Sequence, residues 1–107
     1  MPEKTFIIRV SESVLIFVWF ATDKGKVGSF VAKLNIIFDE KIIELARYDS
    51  GLHGPHLDIL APDGSKRRVI DYGMLENPQA MNVAIEDFSN NWELYWERWQ
   101  RWLNERK

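Results

Sequence analysis

No cysteine occurs in this 107-residue chain. That excludes a disulfide scaffold, a thiolate zinc site and a thiol nucleophile, and it fits a reducing cytoplasm. An excess of either charge is lacking as well: Lys and Arg number 14, Asp and Glu 16, for a net charge of −2. The strongly basic footprint of a general nucleic-acid binder is therefore absent, and contact with RNA would have to rest on a local patch. The one basic cluster, Lys66-Arg67-Arg68, reads as the solvated edge of a strand, where charge protects unpaired backbone. Long apolar runs are missing too. Val14 to Ala21 is apolar throughout but falls far short of the ~20 residues of a membrane span. It also lies too far from a basic N-terminal region to be a signal peptide. There is no internal repeat, no low-complexity stretch and no linker. The expectation is one cytoplasmic domain, residues 1–107, with no membrane contact.

What is present suffices for a core: 46% of residues are apolar and 13% aromatic, beside 28% charged. Thr5 to Val10 reads as a strand, closed by the polar Ser11-Glu12-Ser13. Val14 to Ala21, apolar on both parities, reads as a central strand. Ser29 to Phe38 alternates: Phe30, Ala32, Leu34, Ile36 and Phe38 share one face, as in a half-buried strand. Ile42 to Tyr48 follows the turn at Asp39-Glu40-Lys41 and delivers Arg47, Tyr48 and Asp49 at its end. Pleating puts Arg47 and Asp49 on one face and Tyr48 on the other. Gly51, Gly54 and Pro55 make a loop. Leu57 to Leu60 and Lys66 to Tyr72 then form the arms of a hairpin about Pro62-Asp63-Gly64.

The period changes at Asn77-Pro78, an N-cap residue followed by Pro at the first helical position. From Met81, through Ile85, Phe88, Trp92, Tyr95, Trp96, Trp99 and Trp102, to Leu103, apolar side chains recur every three or four residues, the stripe of a helix. Glu86, Asp87, Glu93, Glu97, Arg101 and Glu105 take the opposite face. Ser89-Asn90-Asn91 are weak helix formers that mark a kink or a break. The fold class is α+β: an antiparallel five- or six-stranded meander with a long C-terminal helix packed on one face. An unbroken helix here spans about 42 Å, against under about 30 Å of sheet. It would overhang and expose Trp99, Trp102 or Leu103, a surface suited to a homodimer.

The chemistry-bearing residues concentrate between Arg47 and Asp58. Both histidines of the chain, His53 and His56, lie there with Arg47, Asp49 and Asp58. Three functions compete. His53 and His56 could serve as general base and acid on RNA without a metal, with Arg47 on phosphate charge and Asp49 or Asp58 orienting an imidazole. Two histidines and a carboxylate could instead hold zinc or iron. Or the segment binds an anionic ligand or a protein without catalysis. A purely structural arrangement would pair Arg47 with Asp49 or Asp58 and satisfy the histidines on backbone. No cofactor is called for by any motif.

Arg47-Tyr48-Asp49, then His53-Gly54-Pro55-His56 and Asp58, resembles the pattern of small prokaryotic TumE-type toxins, which are paired with helix-turn-helix antitoxins. The chain also resembles a group of short uncharacterised prokaryotic proteins with the order Arg-Tyr-Asp, His-Gly, Pro-His, Asp. In those a late helix carries an acidic-Phe stretch before Asn-Trp, as Glu86-Asp87-Phe88 and Asn91-Trp92 do here. This second likeness covers about residues 45 to 96. The resemblance implies a toxin role and a helix-turn-helix antitoxin as partner; RNA as target is the expectation from the histidine chemistry.

Overall fold

The computed structural model describes residues 2–51 and 54–105. Six strands precede one helix: β1 (Glu3–Arg9), β2 (Val14–Asp23), β3 (Lys26–Phe38), β4 (Lys41–Asp49), β5 (His56–Leu60), β6 (Lys66–Asp71) and α1 (Asn77–Glu105). The strands lie in the sheet in chain order, each antiparallel to the next. The α+β meander with its C-terminal helix is thus the observed architecture. No described helix is long and apolar enough to cross a membrane.

Alternation decides which face is covered. Val14, Ile16 and Val18 of β2, with Phe30, Ala32, Leu34 and Ile36 of β3, point to the helix side and are buried. Ala46 and Tyr48 of β4 and Leu57 and Ile59 of β5 extend that layer. The helix rests chiefly on β3, with less contact to β4 and β2. Its buried residues are Ala80, Ala84, Phe88, Tyr95 and Trp99. The two alanines were not part of the expected stripe. Their small side chains let the first turns sit close to the sheet, where a larger residue would hold the helix off.

The helix runs unbroken through Ser89-Asn90-Asn91, so the expected kink or break is absent. Burial of Phe88 and Tyr95 on either side outweighs the few tenths of a kcal/mol that each weak helix former costs. The helix start is displaced by one residue. The Glu76 carbonyl accepts the first helical bond, from the Ala80 N–H. Glu76 is therefore the cap, and Pro78 is the second helical residue. Asn77 instead donates from Nδ2 to the Gly28 carbonyl at 2.8 Å, tying the helix to β3.

The overhang is largely covered within the chain. Trp99 is only 9% exposed. Trp102, half-buried, lies under the Arg67 guanidinium, 5.0 Å from its ring centre. Asp87, expected on the outer face, turns inward. Its carboxylate accepts from the Tyr48 hydroxyl at 2.8 Å, from the Tyr95 hydroxyl, and from Asn91 Nδ2 at 2.8 Å. Burial first, and then the Asp87 carboxylate, push the ionisation of both tyrosines well above the ordinary range. This network joins the two separated stretches that carry the resemblance, Arg47-Tyr48-Asp49 and Glu86 to Trp92.

Candidate functional site

The face of the sheet turned from the helix carries the polar residues of interest. The strand registers align them in rows. One row runs Ile7, Phe17, Lys33, Arg47, Asp58 and Val69 from β1 to β6. The next runs Thr5, Trp19, Val31, Asp49, His56 and Asp71. Arg47, Asp49, His56 and Asp58 therefore share one face, with Tyr48 rooted on the other. His53 lies outside the described residues, so the two-histidine arrangement is not placed.

Asp58 is the centre of this group. Its side chain is only 3% exposed. Oδ2 lies 3.6 Å from His56 Nε2 and 3.4 Å from Lys66 Nζ. A buried carboxylate needs such partners, because an unpaired one costs several kcal/mol (roughly 3–5 when one member of a buried pair is removed). Oδ1 has no hydrogen-bond partner among the described residues. His56 Nδ1 faces the Gly54 carbonyl at 3.4 Å. Both imidazole nitrogens thus look onto protein oxygens.

The backbone around His56 is shaped for that ring. Gly51 has a φ of +58°, and a Cβ there would come within 2.8 Å of His56 Cε1. Only glycine lets the loop pass so close at a positive φ. Asp49 accepts from the Gly51 N–H at 2.7 Å and so holds the turn that backs the imidazole.

Arg47 pairs with neither Asp49 nor Asp58, contrary to the structural arrangement read from the sequence. It donates from its second terminal nitrogen to both oxygens of Glu44, at 2.9 and 3.2 Å. Lys33 reaches the same carboxylate at 3.8 Å. The Arg47 Nε has no hydrogen-bond partner among the described residues. Three positions apart on a plain strand, Glu44 and Arg47 would lie on opposite faces. The β3–β4 register shifts between Leu34 and Asn35, leaving Leu45 as an extra residue that flips Glu44 onto the Arg47 side. A second shift, between Ile59 and Leu60, leaves Arg67 extra. It brings Lys66 to the Asp58 face and frees Arg67 to cover Trp102. Each bulge re-aims a side chain.

Beyond Ala46, β4 has no β5 partner. A cleft of about 640 Å³ opens there, between the start of β4 and the β5–β6 hairpin. Arg47, Asp58, Glu44 and Lys66 form its polar part, while Ile42, Ile43 and Trp99 line it with apolar surface. Of the expected site residues, the structure thus brings Arg47 and Asp58 to the cleft and sets His56 beside it against Asp58. Asp49 serves the turn. Glu44, Lys66 and Trp99 were missed as site residues, because only the bulges and the helix placement bring them in. Among the described residues no group of three His, Cys, Asp or Glu side chains is placed to hold a metal ion.

Residues 1–105 match the model of a family described as a domain of unknown function, DUF7718. No curated protein and no solved structure matches the chain.

Proposed function

The chain belongs to the DUF7718 family, and we propose that it is the toxin component of a toxin–antitoxin pair, acting on RNA by metal-independent histidine chemistry. The observation that carries this reading is the buried Asp58 carboxylate flanked by His56 and Lys66 on the sheet face the helix leaves uncovered. A carboxylate against one imidazole nitrogen orients the ring and stabilises the imidazolium that forms when the ring takes a proton. His56 would remove the proton of a ribose 2′-hydroxyl once its ring turns from Gly54, and the attacking oxygen would displace the 5′-oxygen from phosphorus. His53, assigned from the sequence alone, would return a proton to that leaving oxygen. Arg47 and Lys66 supply the positive charge that the phosphate requires. The likeness of Arg47-Tyr48-Asp49 to Asp58 to TumE-type toxins supports the role, and with it a helix-turn-helix antitoxin as partner.

The test is induction in a bacterial host, following growth and RNA integrity for wild type, His53→Ala and His56→Ala. Wild type should arrest growth and fragment RNA, with or without a chelator, and neither variant should. Equal toxicity of the variants would remove histidine chemistry from consideration. One observation favours a second, non-catalytic reading: both ring nitrogens of His56 already face protein oxygens. If wild type leaves growth and RNA untouched, that reading stands, and the protein acts by binding a partner. The homodimer through the aromatic helix belongs to it: Leu94 and Leu103 are the large apolar side chains that the helix leaves exposed. Sedimentation at micromolar concentration distinguishes dimer from monomer.

A further inference from the structure

We infer that the free edge of β1 is a dimerisation edge: β1 of a second copy of this chain pairs with it antiparallel, Phe6 against Phe6, and makes one continuous sheet. β1 stands at the end of the strand order. The Pro2 carbonyl accepts from the Thr22 N–H, and the Val10 N–H donates to the Val14 carbonyl. Even-numbered residues therefore turn their backbone groups to β2, and those of Glu3, Thr5, Ile7 and Arg9 point outward. Among the described residues no strand pairs with them. Nor is this edge protected. Pro2 directs its backbone to β2 and leaves the outer side open. The opposite edge, β6, carries Lys66-Arg67-Arg68 and a bulge, devices that keep edges apart. On β1, Phe6 is 38% and Ile7 62% exposed, one on each face of the sheet. The helix lies over β2 to β4 and does not obstruct the approach.

The sequence of β1 is complementary to itself in one register. A twofold axis at Phe6 sets Thr5 opposite Ile7, Lys4 opposite Ile8 and Glu3 opposite Arg9 of the second copy. Glu3 and Arg9 are the two ends of the strand, so opposite charges meet at both ends of the joint. The residues that would exchange backbone bonds in this register are the four that point outward. Phe6 then opposes its copy in a non-hydrogen-bonded pair, where side chains come closest and an aromatic pair is favourable. The Lys4 stem lies on Ile8, with its charge in water. Moving the axis to Thr5 or Ile7 takes Glu3 away from Arg9 and loses both ion pairs. Glu3 already holds Trp19 Nε1 through Oε1, and Arg9 the Glu12 carbonyl through Nη1. Each keeps other atoms for a partner. A second copy supplies the mirrored charges by symmetry, and two β1 edges meeting close the assembly at a dimer.

The inference stands apart from the proposed function and from a dimer through the helix. Sedimentation of the full chain at high micromolar concentration should show a dimer. Ile7→Pro removes an outward N–H and leaves the β1–β2 ladder whole, so it should give a folded monomer. Arg9→Glu should weaken the dimer about tenfold or more, and adding Glu3→Arg should restore most of the loss. The register has its own test, because the chain has no cysteine. Opposed Cα atoms at Phe6 would lie about 4.5 Å apart, within reach of a disulfide, so Phe6→Cys should cross-link on oxidation. Lys4→Cys, about 13 Å from its copy in the same register, should not. A monomeric wild type overturns the inference. So does a charge swap without rescue, or cross-linking alike at both positions or at neither. A dimer that survives Ile7→Pro and dissociates on Leu94→Glu assigns the helix instead and overturns it too. RNA fragmentation by a monomeric protein sinks this inference and leaves the proposed function standing. An edge-paired dimer that never fragments RNA does the reverse.

Discussion

Replacing Asp87 by Ala should destabilise the protein by about 3–4 kcal/mol. The Tyr48 and Tyr95 side chains are both buried, so their hydroxyls lose a carboxylate acceptor with little access to water in exchange. Each stranded hydroxyl costs roughly 1–3 kcal/mol. The Asn91 bond adds little, because that residue is exposed. Asp87→Asn keeps an acceptor oxygen and should cost only about 1 kcal/mol. Urea unfolding followed by tryptophan emission measures both. At about 4–8 °C per kcal/mol for a domain near this size, the Ala variant should melt at least about 12 °C below wild type. Tyr48→Phe provides the cross-check. In wild type it removes a bond and destabilises. In the Ala variant it removes a stranded hydroxyl, so it should be neutral or stabilising. An Ala variant within about 1 kcal/mol of wild type would refute the reasoning. So would Asn and Ala variants of equal stability, since the network would then contribute packing alone.

The same tyrosines set an alkaline limit. Their folded-state ionisation lies above the ordinary value near 10, so their stabilising contribution is whole below about pH 10 and is lost as pH rises beyond it. Tyrosinate absorbance from these two should therefore appear together with loss of folded tryptophan emission; ionisation with emission unchanged would contradict this. At the β3–β4 turn, Asp39 and Glu40 have φ of +54° and +62°, a conformation that costs a residue such as Glu roughly 1–2 kcal/mol. Glu40→Gly should raise the urea midpoint, and a lowered midpoint would count against that turn geometry. In the helix, the exposed Asn90→Ala should stabilise by about 0.5 kcal/mol and Asn90→Pro should cost about 3 kcal/mol or more. Tolerance of proline there would mean that the helix is broken after all.

Elements with a clear period were legible in the sequence. Alternation in Ser29 to Phe38 marked β3 and its buried face, the apolar run Val14 to Ala21 marked β2 as an inner strand without distinguishing its faces, and spacing from Met81 to Leu103 marked one helix. Residues whose role depends on a count of one were not legible. Leu45 and Arg67 look like ordinary strand residues, yet as bulges they decide that Glu44 meets Arg47 and Lys66 meets Asp58. Ala80 and Ala84 carry no amphipathic signal strong enough to mark the closest approach of helix to sheet. Asp87 reads as a surface charge at its helical position, because nothing in the local pattern announces two tyrosine hydroxyls from elsewhere. The clustering of Arg47, Asp49, His56 and Asp58 was visible from spacing, but pairing partners depend on side-chain direction across strands.

The helix that completes the core leaves the ribosome after all six strands. Each strand finds its neighbour as soon as it emerges, so the sheet can assemble hairpin by hairpin during synthesis. Until residues 77–105 arrive, however, Val14, Ile16, Val18, Phe30 and Leu34 face water across an open apolar layer. A nascent chain stalled or truncated before α1 is therefore an adhesive sheet with two free edges. Control of synthesis, by translational pausing or by a chaperone at the exit tunnel, would act most strongly on that interval.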